Sequence, residues 1–224
     1  MRHRLVGELM TSAVVHVRPE TGFKDIVRLL AEHDITSVPV LDQEDRPVGL
    51  VSEADLLLNE AAQEDPSGLM LTPRLESRER TRSRATTAAG LMTSPVVCAR
   101  PEWTVVEAAR LMQGKRLKRL PVVDEAGRLV GIVSRSDLLR VFLRQDRAIR
   151  EEIRRDVLRS TLDIDPDTLD VRVHDGFVTL AGTVDHPGQV PVVERLCRSV
   201  DGVVGVTGRL DHRRAGTAVL DQTR

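Results

Sequence analysis

Two pairs of serine and aspartate side chains occur at the same spacing in different parts of the chain. Ser52 and Asp55 follow a Gly-Leu-Val run, and Ser134 and Asp137 follow a Gly-Ile-Val run. Serine followed three residues later by an acid is typical of a helix cap, in which the side chains satisfy free backbone N–H groups. The same geometry suits a nucleotide, because a helix N-terminus attracts phosphate and a carboxylate there can accept both ribose hydroxyls. Taken alone, each pair leaves both interpretations open.

The two pairs belong to a duplication. Residues 9–57 and 91–139 align at an offset of 82 without a gap and agree at 22 of 49 positions. The phrase "LMTSAVVHVRPE" of the first copy corresponds to "LMTSPVVCARPE" of the second, and each copy ends with its serine–aspartate phrase. A role considered for one pair therefore has to be considered for the other.

The periodicity within each copy predicts the order β-α-β-β-α. In the second copy Val96 and Val97 are predicted to form a short strand, and Thr104 and Glu107 to cap the following helix. Two further strands then lead to the Ser134 cap. Because a unit of about 50 residues buries too little apolar surface to be stable alone, the copies should pack as a pseudo-twofold pair.

The C-terminal third has a different pattern. Ile149, Ile153 and Val157 share one helical face, and a predicted hairpin has Asp175-Gly176 at its tip. A second amphipathic helix around Val192–Val200 and a last strand complete an α-β-β-α-β layer.

Two segments lack such periodicity. The polar, arginine-rich stretch Thr72–Thr87 between the copies is predicted to be a flexible linker, with a binding role as the alternative. The residues from Arg213 onwards are predicted to be a disordered tail.

Composition and motifs argue against several classes of function. The formal net charge is −1, so no strong overall field recruits nucleic acid or anionic membrane. No apolar run approaches the length of a membrane span, and we expect a cytoplasmic protein. Cys98 and Cys197 are isolated, which predicts no metal site. Walker, G-x-S-x-G and H-E-x-x-H motifs are missing and no base or nucleophile accompanies either aspartate, so we expect no enzyme activity.

The motifs resemble those of two known families. The repeated "LMTS-x-VV", "[VL]PV-x-D" and "G-x-VS-x-x-D" are similar to a tandem pair of CBS domains, the Bateman module, and "V-x-V-x-DG-x-VTL-x-G-x-V" is similar to a BON domain. The resemblance implies an α+β protein in which a pseudo-twofold pair of β-α-β-β-α units precedes a small α-β-β-α-β domain. The expected boundaries are 5–145 for the CBS pair (5–64, a linker at 65–87, and 88–145), 147–212 for the BON domain and 213–224 for the tail.

The resemblance also implies nucleotide-binding residues, because CBS pairs bind adenine nucleotides in clefts between the copies. Each cleft takes its serine and aspartate from one copy, and an adenine wall and phosphate contacts from the other. The Asp55 cleft would consist of Ser52, Asp55, Val96, Val97, Lys118 and Arg119, and the Asp137 cleft of Ser134, Asp137, Val14, Val15, Thr36 and Ser37.

The two clefts are predicted to be unequal. Lys118 and Arg119 occupy the positions that Thr36 and Ser37 occupy in the other copy, so the Asp55 cleft should carry more positive charge and bind a nucleotide more tightly. A solvated strand entrance is the alternative for the two cations, and plain core is the alternative for the two valines of that cleft.

The leading functional hypothesis is a non-catalytic regulatory module. An adenosine-containing ligand (AMP, ADP, ATP, NAD or S-adenosylmethionine) would bind the CBS pair, and the BON domain would relay its occupancy to a partner. The nucleotide is a regulatory ligand, no cofactor is required, and a homodimer through the CBS pair is expected. The alternative is an adaptor whose BON domain attaches to phospholipid or protein, although residues 147–212 hold nine arginines and twelve acids, a poor balance for anionic lipid.

Overall fold

The structure, a computed structural model, describes residues 3–61 and 82–212. The predicted tail and most of the predicted linker at 65–87 lie outside the described residues. The chain divides into two compact units, one formed by Leu5–Leu138 and the other by the residues from Leu139 onwards together with the first four residues. The first unit contains both copies of the repeat.

The first copy has the predicted α+β composition. Its two strands pair antiparallel, with Ser37 opposite Ser52, so the first strand begins beside the end of the second. The elements are α1 (Val6–Leu9), α2 (Phe23–Glu32), β1 (Ser37–Leu41), β2 (Pro47–Ser52) and α3 (Glu53–Ala61).

The second copy repeats this order. Its strands also pair antiparallel, with Arg119 opposite Ser134. The elements are α4 (Ala88–Leu91), α5 (Val105–Gly114), β3 (Arg119–Val123), β4 (Leu129–Ser134) and α6 (Arg135–Leu139).

The predicted helix cap of the second copy is confirmed, and the predicted first strand is wrong. Thr104 Oγ1 accepts a hydrogen bond from the Glu107 backbone, and the Glu107 carboxylate accepts one from the Thr104 backbone at 2.7 Å. Val96 and Val97 do not form a strand; the extended segment reaches strand β3 only through a single parallel bridge between Ala99 and Val122. The first copy behaves in the same way without a proline: Val14 and Val15 form no strand, and the segment makes a single parallel bridge between Val17 and Val40.

Each copy places its first helix on the other copy. The N–H of Val6 donates to the carbonyl of Trp103 at 2.8 Å, and the N–H of Ala88 donates to the carbonyl of Thr21 at 2.9 Å. These two hydrogen bonds are related by the offset of 82 residues. Ala88 and Leu91 of the second copy are fully buried in the core of the first. The reciprocal exchange explains why the unit occurs twice, since neither copy has a complete core alone.

The glycine of the repeated phrase makes room for the methionine of the opposite copy. A Cβ at Gly49 would lie 2.8 Å from Cβ of Met92, and a Cβ at Gly131 would lie 2.9 Å from Cγ of Met10. Real Cβ atoms essentially never approach a heavy atom this closely. The methionine of "LMTS" in each copy therefore packs against the glycine of "G-x-VS" in the other copy.

The C-terminal unit has the predicted α-β-β-α-β order around its own core. Ile149, Ile153 and Val157 are fully buried, which confirms the predicted helical face. The strand Phe177–Val184 pairs antiparallel with Leu169–His174 and parallel with Gly205–His212. The elements are a 3₁₀ helix (Arg140–Leu143), α7 (Asp146–Glu152), a π-helical segment (Ile153–Thr161), β5 (Leu169–His174), β6 (Phe177–Val184), α8 (Gln189–Arg198) and β7 (Gly205–His212).

Two details of this unit follow from the sequence. Asp175 and Gly176 both have positive φ, as the tight turn of a two-residue hairpin requires, so the predicted tip is confirmed. The second helix begins and ends earlier than predicted, at Gln189 and Arg198. Among the described residues, no helix is both long and apolar enough to cross a membrane.

Candidate functional site

The serine and aspartate of each pair contact each other in both copies. Ser134 Oγ donates to Asp137 Oδ2 at 2.6 Å, and the Ser134 backbone donates to the same oxygen at 2.9 Å. Ser52 makes both contacts with Asp55 Oδ2, each at 2.8 Å. The Asp137 N–H also donates to Ser134 Oγ at 3.3 Å, so the second pair forms both halves of a capping box, and the first pair shows the carboxylate half. In both pairs the carboxylate oxygen Oδ2 contacts the serine. The surroundings of the other oxygen, Oδ1, therefore determine whether a pair can also bind a ligand.

Asp137 lies at a cavity between the copies. The cavity has a volume of about 240 Å³ and takes residues from both copies. It brings together all six residues predicted for the Asp137 cleft, and we keep that name for it. The lining residues are Thr11, Ala13, Val14, Val15, Asp34, Ile35, Thr36 and Ser37 of the first copy and Arg119, Ile132, Ser134 and Asp137 of the second.

Ser37 contributes an unusual polar group to the Asp137 cleft. Its residue is only 5% exposed, and its hydroxyl has no hydrogen-bond partner among the described residues. A buried hydroxyl without a partner costs about 1–3 kcal/mol. The Ser37 hydroxyl can both donate and accept a hydrogen bond. A ligand that hydrogen-bonds to it would remove this energetic cost.

Arg119 does not take the place that the sequence predicted. It was predicted for the Asp55 cleft, but its guanidinium lines the Asp137 cleft and donates a hydrogen bond to Thr36 Oγ1 of the first copy. Strand register is the reason: Arg119 lies opposite Ser134 in the β3–β4 pair, and from there its guanidinium reaches Thr36. Burial lowers the pKa of Arg119, and the carboxylates of Glu53 and Asp137 oppose this shift. The charge of Arg119 therefore lies in the cleft that was predicted to be the less charged one.

Asp55 has a different neighbour. Arg82 forms an ion pair with Asp55 Oδ1, and both side chains are largely buried, at 19% and 15% exposure. The same guanidinium donates to Thr93 Oγ1 at 3.2 Å and, through Nε, to the Leu91 carbonyl at 3.0 Å. Asp55 thus has serine on one oxygen and arginine on the other.

The sequence analysis also assigned Lys118, Val96 and Val97 to the Asp55 cleft, and that assignment stays a prediction. Lys118 is exposed, and its carbonyl accepts the N–H of Arg135 at 3.0 Å. Val96 and Val97 are half-buried, as are Val14 and Val15 in the other copy. Within the part of the chain that the structure describes, Ser52 and Asp55 are the two of these six residues that hydrogen-bond to each other.

Arg82 was missed by the sequence analysis, which placed it in the predicted linker Thr72–Thr87. It stands outside the repeat, whose second copy begins at position 91, so alignment of the copies could not single it out. The segment after it is held in place, because Asn59 Nδ2 donates to the Ser83 carbonyl at 2.7 Å and Ser83 is only 6% exposed. Residues 82–87 are therefore part of the packed structure.

Several arginines of the C-terminal unit are paired with acids. Arg154 contacts Asp167 at 2.6 Å, and Arg155 contacts Asp156 at 2.6 Å. A cavity of about 360 Å³ is lined by Glu151, Arg154, Arg155, Arg159 and Pro166. Its charge is thus mixed, which weakens the case for an anionic lipid surface on this face. Cys197 is buried in the core of this unit, and burial raises the pKa of its thiol to about 12.

Comparison with protein families identifies both parts of the chain. Models of the CBS domain match residues 6–61 and 88–144, and a model of the BON domain matches residues 145–213. The chain belongs to the CBS-domain family. Its two CBS motifs form a Bateman pair, and the BON domain follows them, as the sequence motifs predicted.

Relatives and solved structures agree with this assignment for the CBS pair. Protein MJ1426 of Methanocaldococcus jannaschii is 30% identical over 154 residues, which cover 62% of this chain and 91% of that protein. The chloroplastic CBS domain-containing protein CBSX2 of Arabidopsis thaliana is 33% identical over 150 residues, 62% of this chain and 63% of that protein.

Two crystal structures show the same architecture. The structure of CBSX2 in complex with AMP superposes with a TM-score of 0.53 at 32% identity and covers 62% of this chain and 97% of that one. The CBS pair of MJ0100, solved with 5′-methylthioadenosine and S-adenosylmethionine, has a TM-score of 0.50 at 22% identity and covers 63% and 97%. The latter likeness concerns the fold alone.

Proposed function

We propose that the protein is a non-catalytic regulatory module whose CBS pair binds an adenosine-containing ligand in the Asp137 cleft. The observation that carries the proposal is the buried, unpartnered Ser37 hydroxyl in a cavity that also holds Asp137 and Arg119. A relative that is 32% identical over the CBS pair was crystallised with AMP, which supports an adenylate as the ligand.

The cleft offers a separate contact for each part of an adenylate. The Asp137 carboxylate suits the ribose hydroxyls, since an ionised carboxylate only accepts hydrogen bonds and the hydroxyls donate them. The half-buried Val14 and Val15 suit the purine face, and Arg119 suits a phosphate. The Ser37 hydroxyl would gain its missing partner from the ligand.

The size of the cleft favours a mononucleotide. Its volume of about 240 Å³ lies just below the range of about 300–1,000 Å³ typical of small-molecule pockets. Among AMP, ADP, ATP, NAD and S-adenosylmethionine, AMP is therefore our first choice and NAD the last.

Regulation would follow from the position of the cleft between the copies. A ligand that contacts both copies stabilises the relative pose that it fits best, which is the requirement for a ligand-driven conformational change. In the proposal, the BON domain transmits this state to a partner protein.

A homodimer through the CBS pair is part of the proposal. Helices α2 and α3 enclose an apolar groove of about 570 Å³, where Val27 is 42% and Leu57 is 64% exposed. Exposed apolar surface of this kind marks association sites in soluble proteins.

Calorimetric titration of the full chain with the five ligands tests the proposal, with native mass spectrometry to count ligands per chain and chains per assembly. We expect saturable binding of AMP. Asp137→Asn should weaken AMP by about 10- to 100-fold, because a hydrogen bond to a charged group contributes about 1.5–3 kcal/mol. Ser37→Ala should weaken it by a few fold.

Asp55→Asn is the matched control and should leave AMP affinity within about twofold of the unmodified chain, because Asp55 lies outside the Asp137 cleft. Flat titrations for all five ligands, with a normal thermal melt, would refute the proposal. Equal losses in the two aspartate variants would also contradict the assignment of the ligand to the Asp137 cleft.

A further inference from the structure

The Asp55 side of the CBS pair contains a cation supplied by the chain itself. Arg82 Nη2 pairs with the Asp55 oxygen that does not face Ser52, and it also donates to Thr93 Oγ1 at 3.2 Å. The arginine is only 19% exposed. Its guanidinium is thus inserted between the end of the first copy and the beginning of the second.

Besides the Leu91 carbonyl, Arg82 contacts two side chains, and both are the repeat equivalents of residues that line the Asp137 cleft. An offset of 82 residues relates Asp55 to Asp137 and Thr93 to Thr11. Both Asp137 and Thr11 line the open cavity. The guanidinium of Arg82 therefore lies between two residues of the Asp55 cleft whose equivalents line the cavity of the Asp137 cleft.

The position of Arg82 is set by packing of its segment. The Arg82 carbonyl accepts the N–H of Ala85 at 3.0 Å, and the neighbouring Ser83 is buried and held through its carbonyl by Asn59. Arg84, two residues further on, is exposed. The chain thus directs one arginine of this segment into the cleft and another into solvent.

A ligand entering the Asp55 cleft would have to break a charge-assisted contact. Ribose hydroxyls are neutral donors, whereas the guanidinium is a charged donor with a fixed fork of N–H groups that match a carboxylate. Exchanging arginine for a hydroxyl at Asp55 is therefore unfavourable. The Asp137 cleft imposes no such exchange with Arg82.

We propose that Arg82 is an internal occupant of the Asp55 cleft that blocks adenylate binding there, so that each chain binds one ligand, in the Asp137 cleft. This inference rests on the proposed function for the identity of the ligand. It makes Arg82 a determinant of stoichiometry in a module whose duplicated motifs suggest two sites.

The test is the number of AMP molecules bound per chain, measured by native mass spectrometry and calorimetry on the full-length protein. The unmodified chain should bind one, and Arg82→Gln should bind two. Arg84→Gln removes the same charge from the same segment at an exposed position and should still bind one. Two molecules on the unmodified chain, or one on a folded Arg82→Gln protein, would overturn the inference.

Two further outcomes remain decisive. If the unmodified chain binds no AMP, the proposed function fails for the Asp137 cleft. In that case AMP binding by Arg82→Gln would still support the inference that Arg82 blocks the Asp55 cleft. Absence of AMP binding by a folded Arg82→Gln protein would refute it. If Arg82→Gln does not fold, Arg82→Lys keeps the charge but loses the guanidinium fork, and it should show a second, weaker site. Saturation of Arg82→Lys at one molecule would then refute the inference.

Discussion

The Asp55 and Asp137 clefts are built from the same phrase and differ in what surrounds it. Both aspartates accept two hydrogen bonds from their serine with nearly equal geometry. Asp55 then meets Arg82, whereas Asp137 faces a cavity with Arg119 and Ser37. The comparison teaches that the repeated residues maintain the fold, and that residues outside the repeated phrase decide which cleft is open.

The largest expected effect concerns the reciprocal glycine–methionine contacts, which test how far the two copies are structurally equivalent. Gly49→Ala would place its Cβ against the stiff base of Met92, whereas Gly131→Ala meets Cγ and the flexible end of Met10. We expect Gly49→Ala to lower the free energy of unfolding by about 1–3 kcal/mol and Gly131→Ala to lower it by less. Urea unfolding measures both.

Met92→Ala combined with Gly49→Ala is the control for this contact. Because the shorter side chain removes the clash, the double variant should lose less stability than the sum of the single variants. Strictly additive losses would show that the clash is not the cause.

A smaller effect distinguishes the charges of the two clefts. Arg119→Gln should weaken AMP about 10-fold, or about 1.4 kcal/mol, because it removes a cation from the Asp137 cleft. Adenosine, which lacks the phosphate, should be affected little. Lys118→Gln is the matched control at an exposed neighbouring position and should change AMP affinity by less than about twofold. Calorimetry measures the affinities of both variants for AMP and for adenosine. A larger loss of AMP affinity in Lys118→Gln than in Arg119→Gln would contradict the assignment of the phosphate contact to Arg119.

The smallest effect concerns the caps of the two equivalent helices. Thr104 caps α5 with its side chain, whereas Gly22 stands at the same point of α2 without a side-chain hydrogen bond. Thr104→Ala should lower the free energy of unfolding by about 1 kcal/mol. Gly22→Ser should raise it by only a few tenths of a kcal/mol, because glycine is already tolerated at this position and an added Cβ meets only Asp25 Oδ2 at 3.5 Å.

The cap of α5 also predicts a pH dependence. The backbone hydrogen bond from Thr104, followed by the side-chain one, lowers the pKa of Glu107. A carboxyl with a lowered pKa in the folded state stabilises the protein above its ordinary pKa and loses this contribution as the pH falls through the lowered value. The stability difference between the unmodified chain and Glu107→Gln should therefore be present at neutral pH and shrink in acid. A difference that grows in acid would contradict this assignment.

Much of the fold could be predicted because its signals are local. The Thr104 and Glu107 spacing located the start of α5, and the Asp175-Gly176 dipeptide located a hairpin tip, since caps and tight turns depend on a few adjacent residues. The predicted strand at Val96 and Val97 failed because an extended apolar segment becomes a strand only if it finds a ladder partner, and this one forms a single bridge at Ala99.

The candidate site was predictable in part from the family resemblance. Ser134, Asp137, Val14, Val15, Thr36 and Ser37 meet in one cavity, as the family resemblance implied. Arg119 was assigned to the Asp55 cleft by the family resemblance, whereas the β3–β4 register puts it opposite Ser134 and so in the Asp137 cleft. Arg82 could not be found either, since it belongs to a segment without periodicity or a repeat partner.

The sequence by itself determined the duplication, the α-β-β-α-β order of the C-terminal unit and the two serine–aspartate pairs, because these depend on residue periodicity and on hydrogen bonds between near neighbours. Only the tertiary structure decided that Arg82 meets Asp55, that Arg119 reaches Thr36 and that the Ser37 hydroxyl is buried without a partner. Those contacts join residues distant in the chain, and their formation depends on how the two copies pack together.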